Sequence, residues 1–205
     1  MRRVTLAVAG LCGLVITLGI ASTAWAGQPV TVPLTPPPPS FESCMTVGNG
    51  ITCEGSRVED LGLQDSGLVC GSGADTFEPV DHAIDYQHAI RFYDTNGNLV
   101  RRVIYDHLLG TLTNPLTGAN VSYDAHNTTT DVLAVPGDFS SATTTGRGEQ
   151  NYTVPGMGIV FQNSGRVVFD ANGDTFSSSG PQDFNAYFGN GDTSVADELC
   201  AVLGG

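Results

Sequence analysis

From Ile84 onward apolar and polar residues alternate along the chain. Ile84, Tyr86, His88, Ile90 and Phe92 fall on one parity, with Asp85, Gln87, Ala89 and Arg91 on the other. A period of two is that of a half-buried strand, so the first set is expected to face the core. The alternation stops at Asp94-Thr95-Asn96-Gly97-Asn98 and resumes over Leu99 to Thr113, which predicts a hairpin. Two registers follow from that turn. A type I turn opened by Asp94 and completed by a left-handed Gly97 places Ile84, His88 and Phe92 opposite Leu108, Ile104 and Val100. A two-residue Asn96-Gly97 turn instead makes Tyr86 and His88 face His107 and Tyr105. The preference of Asp for the opening position favours the first. Both registers set Arg91 opposite an Arg, which calls for a bulge or a nearby acid.

Further runs continue the pattern. Asn114-Pro115-Leu116-Thr117-Gly118 makes a turn, Val121 to Val135 a strand, and Pro136-Gly137-Asp138 its end. Thr143 to Val154, Met157 to Phe161 and Arg166 to Phe176 extend the series, separated by Pro155-Gly156 and Asn163-Ser164-Gly165. No convincing 3.6-residue apolar stripe appears between residues 70 and 195, and only Val195 to Leu203 suits a short helical turn. The chain therefore reads as all-β, an antiparallel meander of about six to eight strands. An open sheet would leave an apolar face wet, so the meander is expected to close as a small β-barrel, with a β-sandwich as the alternative. One short repeat, Phe92 to Asn98 against Val168 to Asp174, carries D-x-N-G-[ND] twice. Asp170, Asn172 and Asp174 have calcium-loop spacing, but Thr175 stands where that loop needs Gly and Pro181 where it needs Glu. Both copies are read as hairpin turns.

Upstream of this body the composition changes three times. Residues 1–26 run from Arg2-Arg3 through the apolar stretch Val4 to Ile20 to Ala24-Trp25-Ala26, the order of a secretory signal peptide cleaved after Ala26. Residues 27–40, with Pro36 to Pro39, read as an extended Pro-rich linker. Residues 41–69 read as a small disulfide loop segment, and 70–205 as the barrel domain. Cleavage removes Cys12 and leaves Cys44, Cys53, Cys70 and Cys200, an even set without metal-finger spacing, so two disulfides and a secreted, extracellular location are expected. Four cysteines allow three connectivities, although Cys44 and Cys53 flank a Gly48-Asn49-Gly50 turn that lets their strands meet. No membrane span remains after cleavage. The full chain carries a formal charge of −13 and no Lys, which argues against nucleic acid as a partner.

Several segments resemble a family of small uncharacterised secreted β-rich proteins of high-GC Gram-positive bacteria. They are Gly110 to Gly118 (GTLTNPLTG), Thr145 to Gly148 (TGRG), Gly165 to Gly173 (GRVVFDANG) and Asp197 to Ala201 (DELCA), in that order, so the resemblance covers about residues 70–203. It implies a β fold, export, and a staple between the first and last cysteines of that region, Cys70 and Cys200. No activity comes with it. The 41–69 segment with its own cysteines is an addition to the family pattern.

The chain offers little chemistry by motif. His82, His88, His107 and His126 lack H-E-x-x-H or H-x-H spacing. A two-His-one-carboxylate site would need ligands converging from two strands, which the sequence does not fix, so no metal and no cofactor is assigned. There is no nucleophile elbow and no phosphate loop, and no catalytic residue is assigned. The reading is a secreted, acidic, non-enzymatic barrel protein with a small apolar ligand or a cell-envelope partner. Tyr86, His88, Tyr105 and Ile159 are the expected ligand-binding residues inside the barrel. The alternative is a small-barrel enzyme, cyclase- or isomerase-like, with a His/Tyr/Asp interior site.

Overall fold

The computed structural model describes residues 27–180 and 194–204, without the side chains of Phe176 and residues 194–196; the expected signal peptide lies outside these residues. Eight strands form one antiparallel sheet in strict chain order. They are β1 (Ser43–Val47), β2 (Gly50–Asp65), β3 (Val80–Tyr93), β4 (Leu99–Thr113), β5 (Asn120–Leu133), β6 (Ala142–Val154), β7 (Gly158–Phe169) and β8 (Thr175–Ser179). A C-terminal helix, α1 (Ser194–Gly204), follows. The expected meander is present. Among the described residues β1 and β8 do not pair, so the sheet is not closed. No described helix is long and apolar enough to cross a membrane.

Three expectations need correction. Residues 41–69 are not a separate loop segment, because β1 and the 16-residue β2 are the first two strands of the sheet. Asn163-Ser164-Gly165 is not a turn but the middle of β7, paired with Gln150, Glu149 and Gly148 of β6. The Pro-rich stretch does not stand away as a spacer. Val30, Val32 and Leu34 pack against buried Ile51, Cys53, Tyr93, Leu99, Leu133 and Ala142. The Thr35 N–H donates to the Gly97 carbonyl, the Leu99 N–H to the Thr35 carbonyl, and the Tyr93 hydroxyl to the Pro36 carbonyl, at 2.8, 2.8 and 3.0 Å. Proline removes donors without removing carbonyls, so the arm can still accept from the sheet.

The β3–β4 hairpin reconciles the two expected registers. The Asp94 carbonyl accepts from the Gly97 N–H at 3.1 Å, and Gly97 has φ +83°, as the type I reading requires. Immediately beyond the turn a bulge intervenes: Tyr93 faces Leu99, but Phe92 faces Arg101. From there on the register is the slipped one, with Tyr86 opposite His107 and His88 opposite Tyr105. The second copy of the motif repeats the device, with the Asp170 carbonyl accepting from Gly173 and a bulge between Val168 and Phe169. Asp170 Oδ1 accepts from the N–H groups of Asn172 and Asp174, the role expected of a turn aspartate.

Burial shows which face is the core. On β3 that face carries Ala83, Asp85, Gln87, Ala89, Arg91 and Tyr93, the reverse of the expected parity. Ile84, Tyr86, His88, Ile90 and Phe92 lie on the outer face, where Val103 and Val168 are the buried exceptions. The core face has an apolar cluster at each end. At one end Leu199 and Leu203 of α1 and Leu68, Cys70 and Phe77 of the β2–β3 connection pack on Leu112, Val121, Tyr123, Tyr152 and Phe161. The other end is the cluster under the Pro-rich arm. Each holds one of the two disulfides, Cys70–Cys200 and Cys44–Cys53.

Candidate functional site

Between the two apolar clusters the core face is polar. One row of directly paired positions runs Arg57, Gln87, Asp106, Asn127, Gly148, Gly165 across β2 to β7. The next row runs Glu59, Asp85, Leu108, Ala125, Gln150, Asn163. The Arg57 Nε–H donates to Gln87 Oε1 at 3.1 Å, and Gln87 Nε2 donates to Asp106 Oδ1 at 2.9 Å, so a hydrogen-bonded chain crosses three strands. This waist borders a cavity of about 380 Å³ over β4 to β7. Leu108, Tyr123, Ala125, Val167 and Phe169 supply its apolar lining, and Asp106, Asn127, Thr129, Thr144 and Gln150 its polar lining. That size and mixture suit a small-molecule pocket.

One glycine, Gly146, lines this space, where an added Cβ would meet Val167 Cγ1 at 3.2 Å. Gly146 and Gly148 on β6, Gly165 on β7 and Gly110 on β4 all share the core parity. A Cβ on Gly148 would collide with the Asn127 side chain and the His126 carbonyl, and one on Gly110 with the Tyr123 ring. Glycine at positions 110 and 148 is thus a requirement of close approach. The same spacing was visible in the sequence as Gly146-Arg147-Gly148 and Gly165, where it served only as a family resemblance.

The waist is electrostatically uneven. Burial of Asp85, which is 7% exposed, pushes its carboxyl above the ordinary value, and the charges of Asp106 and Glu59 add to the rise against Arg57. Asp85 Oδ1, Asn127 Oδ1 and Asn163 Oδ1 are buried without a protein donor, although buried polar groups are nearly always paired. Beside the cavity Tyr123 donates its hydroxyl to both carboxylate oxygens of Asp81, at 3.0 and 3.1 Å. Burial raises the Asp81 carboxyl despite that bond, and burial together with the Asp81 charge raises the Tyr123 phenol.

No family model, curated protein or solved structure matches the chain. Its site is therefore read from geometry alone. Three of the expected ligand residues do come together, but not in the interior. Tyr86, His88 and Tyr105 lie on the outer face in an open groove with Ser56, Val58, His107 and His126. The His88 and Tyr105 rings are 6.0 Å apart and those of Tyr86 and His107 5.8 Å, while Ser56 Oγ and His88 Nδ1 are hydrogen-bonded at 2.9 Å. Ile159 is 63% exposed near the start of β7, opposite Thr153, and does not line this groove. All four histidines occupy outer-face positions, so the interior site lacks the histidine expected of the enzyme alternative. Asp85, on the parity expected to face outward, lies on the core face instead, together with Asp106, Asn127 and Gln150.

Proposed function

We propose that the protein is a secreted, non-enzymatic binding protein whose meander rolls up as a barrel around a small, largely apolar molecule. The observation that carries this reading is the cavity set between two apolar clusters and edged by a polar waist. The ligand's apolar body rests on Leu108, Tyr123, Val167 and Phe169, and hydrogen-bond donors on it meet the acceptors of Asp106 and Asn127. The two disulfides, together with the expected leader, support export. The test is native mass spectrometry of protein recovered from its own secretion medium. A bound small molecule is expected, lost in a folded Ala125→Phe variant that fills the cavity. An unliganded wild type that Asn127→Leu stabilises would show the waist to be packing alone.

One observation favours a second reading. Asp85 and Asp106 lie in adjacent rows of the core face, and burial raises the Asp85 carboxyl, a disposition suited to a general acid beside a second carboxylate. An isomerase-like enzyme using these two groups predicts that Asp85→Asn abolishes turnover of the bound molecule while leaving its binding intact.

A further inference from the structure

The β4–β5 register, unbroken from Thr113 opposite Asn120, brings His107 directly opposite His126 on the outer face, with Asp124 two residues from His126 on the same face. The two imidazoles stack at 4.0 Å between centroids. Both Nε2 atoms converge on one oxygen: His107 Nε2 lies 3.0 Å and His126 Nε2 3.2 Å from Asp124 Oδ1. The three donor atoms all lie within 4.8 Å of one another. We propose that His107, His126 and Asp124 form a binding site for a divalent transition-metal ion, zinc in the first instance.

Three features of the cluster point to that ligand. Tetrahedral zinc with bonds of about 2.0–2.1 Å to nitrogen and oxygen separates its ligand atoms by roughly 3.3 Å. The 3.0 and 3.2 Å separations are therefore already close to those of a bound ion, and the third pair of donor atoms lies within 4.8 Å. Two imidazoles with one carboxylate suit a borderline ion such as zinc, nickel or copper, whereas calcium and magnesium prefer all-oxygen sets. The side chains of His107, His126 and Asp124 are 37%, 54% and 51% exposed, so an ion enters without opening the sheet. Three protein ligands leave a fourth position for solvent or an exogenous group, with Glu149 directly opposite His126 on β6. Rigid strands hold the pair, so the site does not depend on loop order.

The test uses the untagged, oxidised mature chain, stripped with chelator and titrated calorimetrically with zinc chloride at about pH 7.5, above the ordinary histidine range. One equivalent of zinc is expected to bind, while magnesium and calcium give no binding. His107→Ala, His126→Ala and Asp124→Asn should each weaken zinc binding by about tenfold or more. His88→Ala, a change to a histidine of the same face held by Ser56, should leave it unaltered. In the wild-type protein, zinc should shift the Nε2 resonances of His107 and His126 and leave those of His82 and His88 in place, a readout that does not depend on any variant folding. Absence of zinc binding at about 0.1 mM metal, a millimolar-class affinity or worse, overturns the proposal. So does binding that survives the His107→Ala/His126→Ala double change, or zinc-induced shifts confined to other histidines.

Discussion

Replacing Arg102 with Met should be among the most damaging single changes in this sheet. Asp131 is 1% exposed and accepts two short hydrogen bonds, from Arg102 Nε at 2.7 Å and from Thr144 Oγ1 at 2.6 Å. The guanidinium also lies over the Phe139 ring at 4.4 Å. Arg102→Met keeps the apolar stem but leaves a buried carboxylate with one hydroxyl donor, a loss of about 3–5 kcal/mol. The lost ring contact adds about 0.5–1 kcal/mol. Against a total stability of about 5–15 kcal/mol this is a large fraction. With a urea dependence of roughly 2 kcal/mol per molar, the unfolding midpoint should fall by about 2–3 M. Asp131→Asn keeps one acceptor oxygen for Arg102, while the Thr144 hydroxyl can turn to accept from the new NH2, and it should cost less, about 1–2 kcal/mol. Adding Asp131→Leu to Arg102→Met should recover part of the loss, because no charge is then stranded. The assay is urea unfolding of the oxidised mature chain followed by far-ultraviolet circular dichroism, since the single Trp25 lies ahead of the expected cleavage point. A midpoint shift for Arg102→Met no larger than that for Asp131→Asn would refute the reasoning, because it would mean that water already solvates the carboxylate.

Other perturbations probe other parts of the fold. Removing Cys70–Cys200, whose partners are 130 residues apart, should cost about 5 kcal/mol by chain entropy, and removing Cys44–Cys53, with partners 9 apart, about 3 kcal/mol, so paired Cys→Ser variants should unfold at clearly different urea concentrations. The Asp85 carboxyl is raised in the folded state, so its ionisation opposes folding above that raised value and the penalty disappears as pH falls toward 3.8. Asp85→Asn should therefore stabilise the protein at neutral pH by an amount that shrinks on acidification, and a pH-independent difference would contradict this. Burial pushes the Tyr93 phenol up to about 12, so its contribution should persist to pH 10 and be lost between there and 12, visible as one late step in the ultraviolet titration of the tyrosines. Tyr93→Phe, which removes the donor to the Pro36 carbonyl, should remove that late step and speed amide exchange at Leu99, where the arm is tied to the sheet.

Element type and order were legible because turn chemistry is local. Asp94 and Gly97 state their turn in the sequence, and so do Asp170 and Gly173, and the meander follows from such signals one hairpin at a time. Facing was not legible, for two physical reasons. A single bulge residue, Val100, shifts all of β3 against β4 by one position, and nothing in its side chain announces it. The core face also carries Asp85, Gln87 and Arg91 while the outer face carries Ile84, Ile90 and Phe92, so an assignment by hydropathy alone selects the wrong parity. Arg91 and Arg102 do sit opposite one another, and each is answered by its own acid, Glu42 at 2.8 Å and Asp131 at 2.7 Å. The better guide to the candidate site was the spacing of small residues. Gly110, Gly146, Gly148 and Gly165 all lie on the core face. The His107–His126–Asp124 cluster needed the register itself, since two strands must be aligned before its ligands meet.

The strict chain order of the strands has a consequence for how the molecule is made. Every strand pairs only with its immediate neighbours, so each hairpin can be added to the one before it as the chain emerges. Loop closure between neighbours costs little entropy, and such topologies assemble faster than sheets built from distant segments. The Pro-rich arm and the Cys70–Cys200 bond are different: each ties an end of the chain to strands far along the sequence. They are therefore expected to be late events, with the arm docking once the β3–β4 hairpin exists and the long-range bond closing only after α1 has been synthesised. Pulse-labelled secretion should accordingly show Cys44–Cys53 oxidised while Cys70 still reacts with alkylating agents, giving a short-lived exported species open at the α1 end.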